Sequence, residues 1–299
     1  MLLLIDSASL WYRAYYGMPD TLVSPDGTPV NAIRGYLDMV ARLIIQYKPK
    51  KIVAAIEGDW RPTWRTELFP GYKANRVDET GEEEEPDFLS PQIPILLDVL
   101  DSFEIPIVGA DDFEADDVIA TYSKRERGPI RIVTGDRDLF QLVDHKKDVK
   151  VVYLAKGISN HDLVDEKWIE KKYGIPGDRY ALFSMIRGDA SDGLPGIKGI
   201  GEKGAAIIAN NFKHINDVLH AAKNNSDQLS EKHRTKIIES MPYAEIMERL
   251  VMCAINVPVP DIPEKNYGGF KKLAELTKIK EKYGLGASVD RFLSALGDL

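Results

Sequence analysis

Five short apolar runs rich in β-branched residues, at 1–5, 51–56, 105–108, 130–134 and 149–154, alternate with amphipathic stretches at 33–47, 92–103, 115–124 and 165–173. A strand-length run followed repeatedly by a helical period predicts βα units, hence an α/β fold with a mainly parallel twisted sheet flanked by helices. From Tyr180 onward strand-like runs stop and helical periodicity takes over. The expected division is a core at 1–179, a helical region at 180–256 and a C-terminal helical tail at 257–299. In that tail Val289, Phe292, Leu293 and Leu296 have the spacing to pack back on the body. Between Pro70 and Pro91 the pattern breaks into Gly71-Tyr72-Lys73-Ala74-Asn75-Arg76 and an acidic run containing Glu82 to Glu85, which marks an insertion at about 71–90.

The apolar runs end in acids. Asp6 follows the first, Glu57 and Asp59 the second, and Asp136 and Asp138 the fourth, while Glu114, Asp116 and Asp117 open a helical stretch just after the third. In open α/β sheets the carboxyl edge of the strands is where ligands bind, so one site can collect all four groups. Asp189 and Asp192 extend the series. Such clustering is unfavourable unless divalent cations offset it, because each anion raises the cost of ionising its neighbours. The pattern therefore points to Mg²⁺ or Mn²⁺. Each cluster also has a plain reading: acids in a first helical turn cap it, and Asp-x-Asp or Asp189-Ala190-Ser191-Asp192 can be turns.

Other readings of these acids fit less well. A haloacid-type phosphatase needs its Asp-x-Asp after the first strand, and no EF-hand spacing or Gly-x-x-x-x-Gly-Lys-Ser/Thr loop is present. No apolar run approaches the roughly 20 residues that span a bilayer, so a cytoplasmic location is expected. The single Cys253 excludes an internal disulfide and reads as a small core residue. A net charge of −8 runs against polyanion binding. The basic residues, however, are grouped, as at Arg61 and Arg65, Lys73 and Arg76, and Lys198 and Lys203.

The stretch Gly196-Ile197-Lys198-Gly199-Ile200-Gly201-Glu202-Lys203 has the form of a helix-hairpin-helix hairpin. Its glycines let a backbone approach closely, and the amides opening the next helix can hold a phosphate oxygen without reading bases. Lys198, Gly199, Gly201 and Lys203 are the candidate DNA contacts. A glycine-rich turn between two core helices is the alternative.

Taken together, these residues resemble the 5′ nuclease (flap endonuclease) family, whose bacterial members occur as the N-terminal domain of DNA polymerase I and as stand-alone proteins. The resemblance runs nearly to Pro258. It is carried by Asp6 with Arg13, Asp59-Trp60-Arg61-Pro62, Tyr72 to Arg76, Phe113 to Asp117, Thr134 to Leu139, and Gly188 to Gly196 running into the hairpin. It implies a PIN-like core with a helical arch beginning at Tyr72 to Arg76, and the hairpin region (H3TH) at 180–256. The implied activity is structure-specific 5′-3′ exonuclease and flap endonuclease, in replication and repair, by a monomer. Nicked, gapped, branched or flapped duplex DNA is the implied partner, with RNA-DNA primers as a further substrate.

The resemblance also assigns roles. One ion falls to Asp6, the Glu57/Asp59 region, Glu114 and Asp116, and a second to Asp136, Asp138, Asp189 and Asp192, with Asp117 in support. Two such ions about 4 Å apart activate water and stabilise the leaving oxygen. Arg13, Lys73 and Arg76 neutralise the phosphate, Tyr72 stacks on a displaced base, and the hairpin holds a K⁺ ion. The family usually has Phe-Asp where this chain has Ile56-Glu57. Asp59 is the favoured ligand of that pair, with Glu57 as the alternative.

Overall fold

The computed structural model describes residues 1–77, 86–264, 267 and 272–297. Six strands form one sheet in the order β3-β2-β1-β4-β5-β6: β1 Leu2–Asp6, β2 Lys51–Ala55, β3 Ile107–Val108, β4 Ile130–Thr134, β5 Val149–Tyr153 and β6 Asp162–Val164. The first five pair in parallel, and β6 runs antiparallel to β5.

The helices of the first half are α1 Ser7–Gly17, α2 Asn31–Tyr47, α3 Thr63–Leu68, α4 Gln92–Ser102, α5 Ala115–Arg125 and α6 Glu166–Tyr173. The second half carries α7 Tyr180–Arg187, α8 Glu202–Asn211, α9 Ile215–Lys223, α10 Glu231–Glu239, α11 Met241–Ala244, α12 Met247–Val251, α13 Leu273–Lys282 and α14 Gly286–Gly297. Among the described residues no helix is long and apolar enough to cross a membrane.

Successive side chains of a strand point to opposite faces, and here each face has its own core. Leu2, Leu4, Val53, Ile130, Ile132 and Val151 pack with α5, α7, α8 and α9. Leu3, Ile5, Ile52, Ala54, Val133 and Val152 pack with α1, α2, α4 and α14. Strands buried on both faces read as continuous apolar runs, which is why the sequence displays them so plainly.

Three local differences from the sequence reading have physical causes. The run at 105–108 pairs only at Ile107–Val108, because Pro106 has no N–H to give the ladder, although its carbonyl accepts from Ala54 N at 2.9 Å. Helix α1 was not anticipated, since Asp6 both ends β1 and caps α1 through Ser9 N at 3.1 Å, leaving no loop to mark the change. Strand β6 is three residues long, too short to carry a periodic signal. Residues 78–85, with the Glu82 to Glu85 run in the middle of the expected arch, lie outside the described residues, as does Asn266 at the start of the tail.

The last helix closes the second core. Val289, Phe292 and Leu296 are buried against α2, and the Phe292 ring lies 4.6 Å from that of Phe103. Truncating a fully buried phenylalanine costs about 3–5 kcal/mol. Phe292→Ala is therefore expected to lower the unfolding free energy measured in urea by that much without changing the slope; a loss under about 1 kcal/mol would show that α14 is dispensable to the core.

Candidate active site

The chain begins at β1, adds β2 and β3 on one side, and then β4 and β5 on the other. The carboxyl ends of β1 and β4 therefore flank the topological switch point, where an open sheet leaves a crevice. Asp6 ends β1 and Thr134 ends β4, and Thr134 Oγ1 donates to Asp6 Oδ2 at 2.6 Å. Asp136 N donates to Thr134 Oγ1 at 2.8 Å, and Gly135 N to Ser9 Oγ at 2.5 Å. These bonds tie β1, α1 and the Asp136 loop together.

A cavity of about 660 Å³ opens at this point, and its walls include Asp6, Glu57, Glu114, Asp116, Asp136, Asp138 and Asp192. Arg13, Lys73 and Arg76 share it. Glu57 accepts from Ala115 N at 2.7 Å, which aims it at the first turn of α5, where Asp116 sits. Burial pushes Asp6 up to about 6 and Glu57 up to about 8, with Glu114 adding to the latter. Asp116 and Asp138 are raised well above the usual carboxylate range, by burial and then by Asp136. Asp192 rises to about 6 through burial, against the pull of Lys73 and Arg76.

Cations answer part of this charge. Arg65 forks onto Asp117 at 2.8 and 2.9 Å and also pairs with Glu114, with its guanidinium 4.3 Å over the Trp64 ring. Lys73 Nζ pairs with Glu114 and donates to Trp60 O at 3.1 Å, while Arg76 Nη2 meets Asp192 Oδ1 at 2.5 Å. Burial works against the charge of Lys73, and Glu114, Asp192 and Glu57 together more than offset it.

Three expected acids lie off this cavity. Asp59 turns back to accept from Arg61 N at 2.9 Å and closes its own loop, whereas the longer Glu57 reaches the cavity. Asp117 is fully buried on Arg65 and accepts from Glu114 N at 3.2 Å and Ala254 N at 2.7 Å. Asp189 binds Ser191 and faces a neighbouring cavity. Burial would raise its carboxyl, but the Ser191 hydrogen bonds carry it below the usual value.

Tyr72 lines the cavity but is 3% exposed, packed with Leu194 and Leu250, and its hydroxyl donates to Glu114 at 2.8 Å.

The hairpin stands between α7 and α8. Ile197 and Ile200 anchor it in the core while Lys198, Gly199, Gly201 and Lys203 are exposed. Gly196 has φ +62° and a Cβ there would meet Gly188 N at 2.5 Å, so only glycine allows the hairpin to close on the end of α7. Lys236 Nζ donates to Gly199 O, which puts an ammonium on the hairpin carbonyl. The sequence reading gave no site role to Ser9, Arg65, Thr134 or Lys236, although Arg65 stood in a basic group and Thr134 in a motif, because the partners Gly135, Asp117, Asp6 and Gly199 that define those roles are distant in the chain.

Residues 1–174 match the model of the 5'-3' exonuclease N-terminal resolvase-like domain, and residues 175–273 that of the 5'-3' exonuclease C-terminal SAM fold. A 5'-3' exonuclease of Streptomyces coelicolor is 45% identical, covering 98% of this chain and 99% of that protein. The chain belongs to the 5'-3' exonuclease family. A second 5'-3' exonuclease, from Mycobacterium tuberculosis, is 38% identical over 100% of this chain and 98% of its own length. DNA polymerase I of Caldicellulosiruptor bescii matches at 31% identity over 89% of this chain but 31% of that polymerase. The bacteriophage T5 flap endonuclease, solved with DNA and metal ions, shares the fold, with a TM-score of 0.61 at 16% identity over 99% of this chain and 98% of the other.

A family of metal-dependent nucleases calls for divalent ions, and the donor set suits them. The cavity acids are all oxygen ligands, as hard divalent ions require, and Asp138 Oδ1 is buried with no hydrogen-bond partner among the described residues. Among those residues, no three Asp, Glu, His or Cys side chains converge tightly enough to hold an ion as they stand, since Lys73, Arg65 and Arg76 draw Glu114, Asp117 and Asp192 toward themselves.

Removing a group that acts on a metal directly or through one neighbour weakens metal binding about 10- to 100-fold. Glu57→Gln is expected to weaken Mn²⁺ binding by that factor in calorimetry, and Asp59→Asn to leave it within a few-fold. The reverse order would restore Asp59 as the ligand.

Proposed function

We propose that this chain is a structure-specific 5′-3′ exonuclease and flap endonuclease acting on duplex DNA with a free 5′ end, nick, gap, branch or flap. The observation that carries the reading is the single cavity in which seven carboxylates meet Arg13, Lys73 and Arg76 at the switch point of the sheet. The named relatives support the 5′-3′ polarity. The phage flap endonuclease solved with DNA supports the choice of substrate. Junction-specific cutting, RNA-DNA primers as substrate, a monomeric state, a cytoplasmic setting and a role in replication and repair complete the proposal.

Asp6, Glu57, Glu114 and Asp116 would hold one ion, and Asp136, Asp138 and Asp192 a second, with Asp189 approaching from the neighbouring cavity. Mg²⁺ is proposed as the resident ion, with Mn²⁺ able to replace it. When bound, such ions supply an activated water and charge stabilisation at the leaving oxygen. Arg13, Lys73 and Arg76 hold the non-bridging oxygens of the scissile phosphate, and oriented cations in a water-poor cavity favour the charge that develops there. Thr134 and Ser9 fix Asp6 and the Asp136 loop through the bonds already described.

The hairpin takes the duplex backbone through Lys198, Lys203 and the amides opening α8. A K⁺ ion there would share the site with the Lys236 ammonium. We divide the chain into a nuclease core at 1–179 with the arch at about 71–90, the hairpin region at 180–256, and the tail at 257–299.

The test is a 5′-flap duplex labelled at the flap end, incubated with Mg²⁺, Mn²⁺ or EDTA. Metal-dependent release of a fragment cut near the junction is expected. Asp136→Asn with Asp138→Asn should abolish cleavage and leave flap binding within a few-fold, whereas retained cleavage would remove the second ion site. Lys198→Ala with Lys203→Ala should flatten the salt dependence of duplex binding by a slope of roughly one to two. An unchanged slope would take the hairpin out of the interface.

A further inference from the structure

Beside the catalytic cavity lies a second one of about 620 Å³, lined in part by Arg137, Arg187, Gly188, Asp189, Ser191 and Glu202. Leu194 borders both, and Arg137 stands between Asp136 and Asp138 in sequence, so the Asp189 to Leu194 turn is the wall between them. Glu202 on its far side is the first residue of α8. The cavity therefore lies between the catalytic carboxylates and the hairpin, where a duplex strand touching both would pass.

Arg187 ends α7 with a side chain only 11% exposed. Its Nε donates to Gly188 O at 3.1 Å and its guanidinium lies 5.3 Å over the Phe183 ring, contacts that fix the plane of the group. Yet Nη1 and Nη2 are buried with no hydrogen-bond acceptor among the described residues, and the hydroxyl of Tyr180 nearby is unsatisfied as well. Asp189 Oδ2, at 3.6 Å from Nη2, is a neighbouring charge but too distant for a hydrogen bond. Asp189 Oδ1 is already engaged by Ser191 N at 2.8 Å and Ser191 Oγ at 2.5 Å.

Buried charged donors left unmet are costly, so such a group is suited to an acceptor that arrives with a ligand. A planar guanidinium whose two Nη groups meet no acceptor matches two oxygens of one phosphate. Arg137 is exposed at the same cavity and adds a second positive charge. Glu202 opposes an anion, but it is exposed and therefore screened by water and salt.

We propose that Arg187, with Arg137, forms a phosphodiester-binding site that grips the duplex strand between the scissile bond and the hairpin. This rests on the nuclease reading above. The site recognises backbone rather than bases, so it positions the duplex without sequence preference.

The experiment measures binding of the 5′-flap duplex by anisotropy in EDTA across a salt series, alongside Mn²⁺ titration of the DNA-free chain by calorimetry. Wild-type protein comes first: failure to bind the flap at any salt would sink the functional reading itself. With binding established, Arg187→Met and Arg137→Met are each expected to weaken it about tenfold near 0.1 M salt and to reduce the salt slope by about one, without weakening Mn²⁺ binding. Arg187→Lys should keep the slope and lose part of the affinity, because the charge remains and the fork does not. An unchanged slope in both methionine variants overturns the proposal. So does tighter Mn²⁺ binding in Arg187→Met with no change in slope, which would make Arg187 a counter-charge for Asp138 and Asp189. Arg137→Met, at an exposed position, decides the matter if the Arg187 variants do not fold.

Discussion

The mutual repulsion of the carboxylates at the switch point is the constraint on which the rest of the structure depends. Seven acids in one cavity would not stay ionised together without compensation. The fold supplies what it can from backbone amides, hydroxyls and buried cations. Arg65 is the deepest of these, and its fork on Asp117 sits where removing one partner strands the other charge, a loss of about 3–5 kcal/mol for buried pairs. The remainder is left raised in pKa, the condition in which a divalent ion gains most by entering, since it converts repulsion into coordination.

The same charges connect the cavity to the segment at the base of the expected arch. Lys73 adopts a left-handed backbone at φ +49°, its N–H donates to Asp192 O at 2.9 Å and its ammonium reaches Glu114. Arg76 takes Asp192. Anything that bound Glu114 and Asp192 would compete with these two cations. Tyr72 follows the same logic, because its hydroxyl is a further donor to Glu114 and its ring is buried as a consequence.

The hairpin, by contrast, is built from backbone geometry. Gly188 and Gly196 let the hairpin close against α7, and the buried Ile197 and Ile200 hold it while the lysines stay in water. A net charge of −8 is no obstacle to such a surface. The negative charge is concentrated in the cavity, and the positive groups stand on the hairpin, within a Debye length of whatever lies against it.

The sequence by itself determined the sheet, since runs buried on both faces leave uninterrupted apolar stretches, and it determined that acids gather at the carboxyl edge, because they follow those stretches directly. It also marked the hairpin through its glycines, of which Gly196 leaves no room for a Cβ. Only the tertiary structure placed Glu57 at the cavity and Asp59 on its own loop, turned Asp189 aside toward Ser191, buried Tyr72 and brought Arg65 onto Asp117. Those outcomes depend on which way a side chain points and on partners such as Asp117, 52 residues along the chain from Arg65. Local periodicity records which face of an element is buried; it carries no record of the distant residue that will meet it there.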